Sequence, residues 1–459
     1  MFCERTIGRD ICGVITYMAS SAGLLVGEPL RTEDTGEGSL TLSWLFVQFA
    51  PAKGGGAARR VDLDDCVGVS AEQSVLVLQS VALRRGFCSA PRRVMSQARF
   101  TCRDGAQAES WAAAVWNVMH GKAPEASAPA RKRWLVLVNP VSGKKGGALT
   151  VLRECRPVLE AHRIELKEIV TTHAAHATEL AAEIKLDELD GIVCVGGDGL
   201  LYELVNGLMT RPDADAAVSR LHLGVLPGGS ANSMCCSLLR AAGEPLSPLA
   251  MARLLCKGRQ QPLDLLRVTQ PGGHVSYGFL SLAWALASDI DLGSEHLRWM
   301  GEARFDVYAV WRILTQRAYP GTLRVKEKGA EEWRTIEGPF IGLWALNVRW
   351  LTPSAQIGPR AEFDDGCVDL LHFRRVNRLR LLLEMADLSS GRHVDAQWAE
   401  YTKVTALELC PQPRTDQQPG MVAIDGELVP FADTSITVLP SKLMLLGGAA
   451  QGDNGGSPV

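Results

Sequence analysis

The sequence has 459 residues, of which 46% are hydrophobic and 22% charged, and its formal net charge is −3. This length accommodates two or three globular domains with sizeable cores. The nearly balanced charge argues against a nucleic-acid partner, because nucleic-acid-binding proteins usually present a strongly basic surface.

Cysteine usage and hydropathy predict a cytoplasmic protein. Twelve cysteines are scattered without a Cys-x-x-Cys pair, which is typical of reduced, buried thiols rather than of disulfides or metal ligands. The apolar stretch 11–26 contains Gly13, Thr16, Ser20 and Ser21, which favours domain core over a targeting signal. No uncharged run reaches the length of a membrane span, so we expect membrane contact to be peripheral.

Residues 1–121 predict a first domain composed mainly of strands. Alternating apolar runs at 40–49, 61–69 and 75–83 and a final short run at 100–102 are typical of strands. A helix should follow, because apolar residues recur at helical spacing in Ala108, Trp111, Ala112, Val115, Trp116 and Met119. Strands followed by one amphipathic helix resemble a pleckstrin-homology-like β domain.

A basic cluster in this first domain has two interpretations. Arg84, Arg85, Arg92 and Arg93 flank a predicted loop, where they could contact anionic lipid headgroups. A solvated basic loop is the simpler interpretation.

A linker is predicted at 122–131, where alanine and proline dominate. Residues 132–262 then alternate apolar strands, at 134–138, 164–170, 192–195 and 221–226, with helical patterns. This alternation predicts an α/β nucleotide-binding lobe, a parallel sheet with flanking helices. Loops that follow the carboxyl ends of such strands converge on one crevice.

The most informative loop is the turn Gly196-Gly197-Asp198-Gly199. A glycine-rich turn between a strand and a helix presents backbone N–H groups to an anion, most often phosphate. An acid beside phosphate costs repulsion, and accepting a proton from a hydroxyl or holding magnesium would explain Asp198. A dinucleotide fingerprint would need glycine where Tyr202 stands, and a purely structural turn remains an alternative.

From residue 263 to 447 the pattern predicts a mostly antiparallel β-sandwich lobe. Predicted strands lie at 323–325, 341–348, 367–373, 405–409, 421–424 and 435–439, with helices at 301–314 and 379–385. Residues 448–459 are predicted to be a disordered tail.

Three further patterns contain side chains that could take part in chemistry. Asp291 and Arg298 stand two helical turns apart, so one helix face could carry both, although a surface helix with ion pairs is the commoner meaning. Asp425-Gly426-Glu427 is explained by a hairpin turn without any function. A metal site at the neighbouring His173 and His176 is not expected, because further ligands are missing nearby.

These segments together resemble the diacylglycerol-kinase catalytic fold and, more specifically, the sphingosine kinases. The resemblance covers roughly residues 133–447. It is carried by Asn139-Pro140 with the following glycine-lysine run, the turn and helix 196–208, the loop Pro227-Gly228-Gly229-Ser230, the segment 289–304 and Asp425-Gly426-Glu427.

The resemblance implies roles for particular residues. Asp198 would be the catalytic base on the primary hydroxyl of a lipid and a magnesium ligand, and Asp291 would hold the headgroup of a sphingoid base. The remaining matches line the ATP site of that family, and they are Asn139, Thr171, Gly197, Gly199, Ser230, Glu295, Arg298, Arg304, Gly426 and Glu427. The lipid tail is expected along the helix face of Phe305, Val307, Val310, Trp311 and Leu314.

The expected function is therefore ATP- and Mg²⁺-dependent phosphorylation of a sphingoid base by a lipid kinase at a membrane surface. Two departures from the family pattern occur, Ala231 in place of the second loop glycine and Gly196 in place of a serine. Ceramide kinases share the fold and often carry a pleckstrin-homology-like domain. Ceramide kinase, diacylglycerol kinase and a non-catalytic lipid-binding protein with a degenerate kinase fold remain alternatives.

Overall fold

The computed structural model describes residues 16–17, 24–32, 36–51, 58–86, 89–127, 130–143, 146–301, 303–374, 376–414 and 420–448. The chain forms two compact units, Met1–Lys132 with Glu154–Glu165, and Arg133–Arg153 with Leu166–Val459. The predicted tail beyond residue 448 and most of the apolar stretch 11–26 lie outside the described residues.

The described residues up to 119 form an antiparallel sheet followed by one helix. Its strands are β1 (Thr16–Tyr17), β2 (Leu24–Thr32), β3 (Gly36–Ser43), β4 (Phe46–Pro51), β5 (Arg59–Asp62), β6 (Cys66–Glu72), β7 (Val75–Arg84) and β8 (Arg92–Thr101), and its helix is α1 (Gly105–Met119). The strand order is β5-β4-β3-β2-β8-β7-β6, with β1 beside β2. Helix α1 begins at Asp104, whose carboxylate accepts a hydrogen bond from the N–H of Gln107, and it buries Trp111 and Val115 in the core of this unit.

Strand β8 ends at Thr101 and α1 follows it, as expected from the sequence. The predicted strand at 40–49 is two strands, because the Ser43 hydroxyl accepts hydrogen bonds from the N–H groups of Leu45 and Phe46, at 3.1 and 3.0 Å, and turns the chain. The predicted strand at 61–69 is also divided between two strands, β5 and β6. The pleckstrin-homology-like identity of this unit stays a prediction.

One arginine of the basic cluster has a structural role. Arg93 donates a hydrogen bond to Asp65 at 2.5 Å, and its side chain is only 8% exposed. It is therefore not available to a lipid headgroup. Arg84, Arg85 and Arg92 are exposed.

The second unit carries a single hydrogen-bonded sheet of 15 strands. From residue 132 the chain forms β9 (Lys132–Val138), α2 (Gly147–Ala161), β10 (Ile164–Val170), α3 (His176–Glu183), β11 (Gly191–Gly196), α4 (Asp198–Met209), α5 (Ala214–Arg220), β12 (His222–Pro227), α6 (Ser233–Ala241) and α7 (Pro248–Lys257). Residues 154–161 of α2 and the first two residues of β10 belong to the first unit. Then follow β13 (Gln260–Gln270), β14 (His274–Gly278), β15 (Ser281–Ala285), α8 (Leu286–Gly293), α9 (Ala303–Leu314), β16 (Gly321–Glu327), β17 (Arg334–Glu337) and β18 (Gly342–Leu346). The last are β19 (Val368–Phe373), α10 (Arg378–Met385), β20 (Glu400–Pro411), β21 (Val422–Ile424), β22 (Glu427–Val429) and β23 (Thr434–Leu446).

The α/β part has the predicted parallel core. Strand β11 pairs in parallel with β9 on one side and with β12 on the other, and every residue of β11 is buried. Such burial on both faces is typical of a parallel strand covered by helices. Among the described residues, no helix is long and apolar enough to cross a membrane.

The β-rich part is joined to the α/β part by two long strands. Strand β23 contacts β12 in parallel at Leu445 and pairs antiparallel with β13 and β20. The domain boundary predicted at residue 263 falls inside β13, whose pairing with β23 starts at Gln260 and continues to Thr269. Local periodicity does not reveal this continuity, since the pairing partner lies far away in the sequence.

Candidate functional site

Most of the predicted site residues line one cavity of about 1060 Å³ in the second unit. It lies beside the loops that follow the carboxyl ends of β9, β10, β11 and β12, as expected for this class of sheet. The predicted residues that line it are Asn139, Thr171, Gly197, Asp198, Gly199, Ser230, Asp291, Glu295, Arg304, Gly426 and Glu427. Arg298 belongs to a short 3₁₀ turn, and its side chain lies outside the described part of the structure.

Two glycine-containing loops meet at the polar end of this cavity. A Cβ atom on Gly229 would lie 2.5 Å from the Cα of Gly197, so only glycine allows the backbones to approach this closely. Asn232, at φ 53°, closes the second loop. Its side chain accepts from the N–H of Gly229 and donates to the carbonyl of Gly229, both at 2.8 Å. Asn232 thus has a structural role in this loop.

Asp198 begins helix α4 and is held by a second helix. Its carboxylate accepts hydrogen bonds from the N–H groups of Ser233 and Met234, at 2.7 and 3.1 Å, which open helix α6. Burial raises the pKa of Asp198, against the lowering effect of these two N–H groups. A carboxylate of raised pKa at a cavity wall is better suited to accept a proton than an ordinary surface aspartate. The donors from α6 were not anticipated from the sequence.

Several carboxylates gather at the same end of the cavity. A Cβ on Gly199 would lie 2.7 Å from Oε1 of Glu427, and one on Gly426 would lie 3.5 Å from Oδ2 of Asp291. Burial raises the pKa of Asp291 to about 6; Arg304 lowers it, and the charges of Glu295, Glu427 and Asp198 raise it. Such crowding of negative charge favours a bound cation.

Asp425 has a larger role than the hairpin turn assigned to it from the sequence. The turn between β21 and β22 is present, with Asp425 and Gly426 at φ 53° and 84°. The Asp425 carboxylate also accepts hydrogen bonds from three consecutive N–H groups, those of Phe279, Leu280 and Ser281, at 2.7 to 2.9 Å. Burial raises its pKa to about 7, the three N–H groups lower it, and the charge of Asp198 raises it.

Asp425 therefore ties two walls of the cavity together, since Leu280 and Ser281 line it on one side and Gly426 and Glu427 on the other. No local sequence signal marks this role, because Asp425 and Phe279 are 146 positions apart.

Magnesium could bind at this acidic end if substrate phosphates supply part of its ligands. Within the described residues, no cluster of three or more histidine, cysteine, aspartate or glutamate side chains could hold a metal by itself. Mg²⁺ usually keeps waters and binds one or two carboxylates together with substrate phosphates. Asp198 and Glu427 fit that pattern, so the ion would arrive with the nucleotide.

The other end of the cavity is apolar. It is lined by Ala283, Ala287, Ile290, Phe305, Ala309, Val310, Ile313, Trp344, Leu351, Ile357, Leu382, Leu383, Met385, Ala386 and Leu388. Of the α9 residues predicted to face the lipid tail, Phe305 and Val310 line the cavity, whereas Val307, Trp311 and Leu314 do not. Residues four apart share a helix face, and Phe305, Ala309 and Ile313 form the one that faces inward.

Two family descriptions match the second unit. Residues 133–268 match the diacylglycerol kinase catalytic domain, and residues 274–447 match the YegS C-terminal NAD kinase beta sandwich-like domain. A crystal structure of a diacylglycerol kinase candidate from Bacillus anthracis str. Sterne has a similar fold, with a TM-score of 0.52, 20% identity and coverage of 70% of this chain and 99% of that one. This likeness concerns the fold alone.

Named relatives cover most of the same region. Sphingosine kinase 1 of Arabidopsis thaliana is 36% identical over 334 residues, which is 65% of this chain and 68% of the relative. Sphingosine kinase 1 of Mus musculus is 31% identical over 371 residues, 72% of this chain and 95% of the relative. Human ceramide kinase is 28% identical over 312 residues, 55% of this chain and 56% of the relative. With identity at this level over most of their length, the chain belongs to the sphingosine kinase family and is built on the diacylglycerol kinase catalytic domain.

Proposed function

We propose that this protein transfers the γ-phosphate of ATP to the primary hydroxyl of a sphingoid base. One observation carries the proposal: a single cavity has glycine loops and the acids Asp198 and Asp291 at one end and an apolar chamber at the other. The names of the relatives agree, among them a sphingoid long chain base kinase of Saccharomyces cerevisiae that is 32% identical over 198 residues.

Asp198 is the proposed base. The lipid hydroxyl gives its proton to the Asp198 carboxylate, its oxygen forms a bond to the γ-phosphorus, and the bond from that phosphorus to the β-γ bridging oxygen breaks to release ADP. Phosphoryl transfer of this kind depends mainly on positioning and charge neutralisation. The N–H groups from α6 hold the Asp198 carboxylate in one orientation, so that its proton-accepting oxygen is placed before the lipid arrives.

The nucleotide phosphates are proposed to bind the two glycine loops and the N-terminus of α4, at the positive end of the helix dipole. Arg304 is 6% exposed and lines the cavity, and it is proposed to neutralise phosphate charge during transfer. Asn139, Thr171, Ser230, Glu295 and Arg298 are proposed to contact the nucleotide as well. Magnesium, held by Asp198 and Glu427 together with the phosphates, would neutralise part of their charge.

The lipid tail and headgroup contribute differently to recognition. Ten buried methylene groups contribute about 8 kcal/mol, whereas one hydrogen bond to a charged group contributes about 1.5–3 kcal/mol. The tail chamber therefore supplies most of the affinity, which ceramide and diacylglycerol would share. Discrimination comes from the protonated amine of a sphingoid base, which alone among these lipids pairs with Asp291 and the surrounding acids.

Turnover of radiolabelled ATP with a sphingoid base, a ceramide and a diacylglycerol, each in the same detergent micelles, tests this proposal. We expect the sphingoid base to give the highest kcat/KM. A preference for ceramide, the activity named for the human relative, would transfer the assignment to that class. No turnover with any of the three lipids would favour the non-catalytic alternative.

Peripheral membrane contact is proposed at the outer face of α9 and α10. This face exposes Trp299 (78%), Val307 (51%), Trp311 (49%), Leu314 (55%), Leu379 (66%) and Leu383 (67%). Leu383 also lines the tail chamber, so the exposed face reaches the cavity itself. Exposed apolar patches next to a lipid site are typical of membrane interaction.

The double variant Val307→Ser/Trp311→Ser should weaken sedimentation with lipid vesicles and raise KM for a sphingoid base presented in vesicles. Its KM for the same lipid in micelles should stay near wild type, because neither side chain lines the cavity. Leu246→Ser, at a leucine 37% exposed before α7, is the control. Equal vesicle binding by all three proteins would contradict a membrane role for this face.

A further inference from the structure

A buried ion pair connects the two helices that form the lipid side of the cavity. Arg312 of α9 donates from Nε to Oδ2 of Asp289 of α8 at 3.0 Å, and its Nη2 donates to the same oxygen. The hydroxyl of Tyr319 also donates to this oxygen. The side chains of Arg312 and Asp289 are 2% and 8% exposed. None of the site residues predicted from the sequence belongs to this cluster.

Each member of this cluster is fixed by further contacts. Nη1 of Arg312 donates to the hydroxyl of Thr315 at 2.9 Å. The backbone of Tyr319 exchanges two hydrogen bonds with Phe340, at 2.7 and 2.8 Å, and its ring lies edge-on to Trp284 of β15, with centroids 6.0 Å apart. Burial, and to a smaller extent the charge of Asp289, raises the pKa of Tyr319 to about 12, so its hydroxyl remains a donor. The cluster is thereby anchored to the sheet.

A buried pair of this kind is rarely explained by stability alone. Removing two charges from water costs several kcal/mol per ion, and apolar side chains of similar volume often stabilise a protein equally well or better. Deleting one partner, by contrast, leaves an uncompensated charge. Such a pair is sensitive to geometry, since it is favourable only when the two helices stand in one arrangement.

The location of the pair suggests what that arrangement serves. Asp289 lies two residues before Asp291 on α8, and Arg312 is next to Ile313, which lines the tail chamber. The connection between α8 and α9 is irregular, with a 3₁₀ turn at Glu295–Met300, non-helical backbone at Leu297 and positive φ at Gly301. The connection does not hold the helices together as one rigid rod, so side-chain contacts between them must.

We infer that Asp289, Arg312 and Tyr319 form a positioning network, which orients Asp291 towards the lipid headgroup and sets the wall of the tail chamber. The inference rests on the proposed function of this cavity. None of the three residues lines the cavity, so they act through α8 and α9. The network should affect binding of the sphingoid base and leave ATP binding alone.

Asp289→Asn tests this role, because it keeps the side-chain shape and removes the charge. A misplacement of about 1 Å can cost roughly 10²-fold in rate, and we expect KM for the sphingoid base to rise about tenfold or more. KM for ATP should stay within about twofold. Tyr319→Phe, which removes a single donor, should shift the lipid KM in the same direction by a smaller factor.

Two further variants separate positioning from stability. The double variant Asp289→Asn/Arg312→Met removes both charges and should regain thermal stability relative to Asp289→Asn, but not the lipid KM. Glu244→Gln breaks a comparably buried pair, Arg253 and Glu244 at 2.8 Å with side chains 4% and 8% exposed, in the α/β part. It should lower the unfolding temperature and leave the lipid KM unchanged.

The outcomes are distinguishable. If Asp289→Asn lowers the unfolding temperature as Glu244→Gln does but leaves the lipid KM unchanged, or shifts the KM values of lipid and ATP equally, the positioning role is wrong. If Asp289→Asn does not fold, the KM values for lipid and ATP and the unfolding temperature of Tyr319→Phe and of the double variant decide in the same way. Wild-type protein in the same assay tests the proposed function itself. If the wild-type protein does not phosphorylate a sphingoid base, the proposed function is wrong, and the positioning role is wrong with it.

Discussion

Asp198→Asn is expected to reduce turnover of ATP with a sphingoid base to background. A general base contributes about 10²- to 10⁴-fold, and an amide cannot accept the hydroxyl proton. The substitution keeps the side-chain shape and one oxygen, which can still accept a hydrogen bond from the N-terminus of α6. The measurement is kcat at saturating ATP and lipid, with circular dichroism and thermal unfolding to show that the variant is folded.

Ser233→Ala is the matched control for this experiment. Ser233 donates its N–H to Asp198 and its hydroxyl to the carbonyl of Leu351 at 2.7 Å. The alanine variant loosens α6 and removes a hydroxyl that helps to lower the pKa of Asp198, but it keeps the carboxylate and the N–H, so kcat should stay within a few-fold of wild type. A loss as large as that of Asp198→Asn would attribute both effects to displacement of α6. Substantial activity in well-folded Asp198→Asn protein would exclude Asp198 as the base.

Asp291→Asn is expected to raise KM for the sphingoid base roughly 10- to 100-fold, since a hydrogen bond between charged groups contributes about 1.5–3 kcal/mol. KM for ATP should change less than about twofold. An N-acetylated sphingoid base, which lacks the cationic amine, provides the matched control substrate. The variant should lose its preference for the free amine over the amide. Equal losses for ATP and lipid would make Asp291 a structural residue.

The same residue predicts a pH dependence. Asp291 has a pKa of about 6, so it is ionised above that pH and protonated below it. An aliphatic amine keeps its proton throughout this range, so the attraction is lost only when the carboxylate is neutralised. KM for the sphingoid base should therefore rise as the pH falls through this value, and KM in Asp291→Asn should be flatter. Because the variant retains Asp198, the difference between the two profiles isolates Asp291.

Particular residues show how far the sequence alone leads. The turn 196–199 predicted a phosphate-binding loop with an acid, and the structure brings three of its residues, 197–199, into one cavity with Asn139, Thr171, Ser230, Asp291 and Glu427. These matches rest on short motifs, whose backbone conformations depend on neighbouring residues. Ala309 and Ile313 on the inward face of α9 and the split of the strand at 40–49 were missed, since both depend on where the chain turns relative to a core.

The sequence by itself predicted the acid and the glycine loops of the site and the order of most strands and helices. It could do so because hydrophobic periodicity and glycine turns act over a few residues. Only the tertiary structure decided that β23 joins the two parts of the sheet, that Asp425 holds Phe279 across 146 positions, and that Asp289 pairs with Arg312. The physical reason is that pairing partners, burial and the pKa values that follow from burial depend on contacts between segments far apart in the chain.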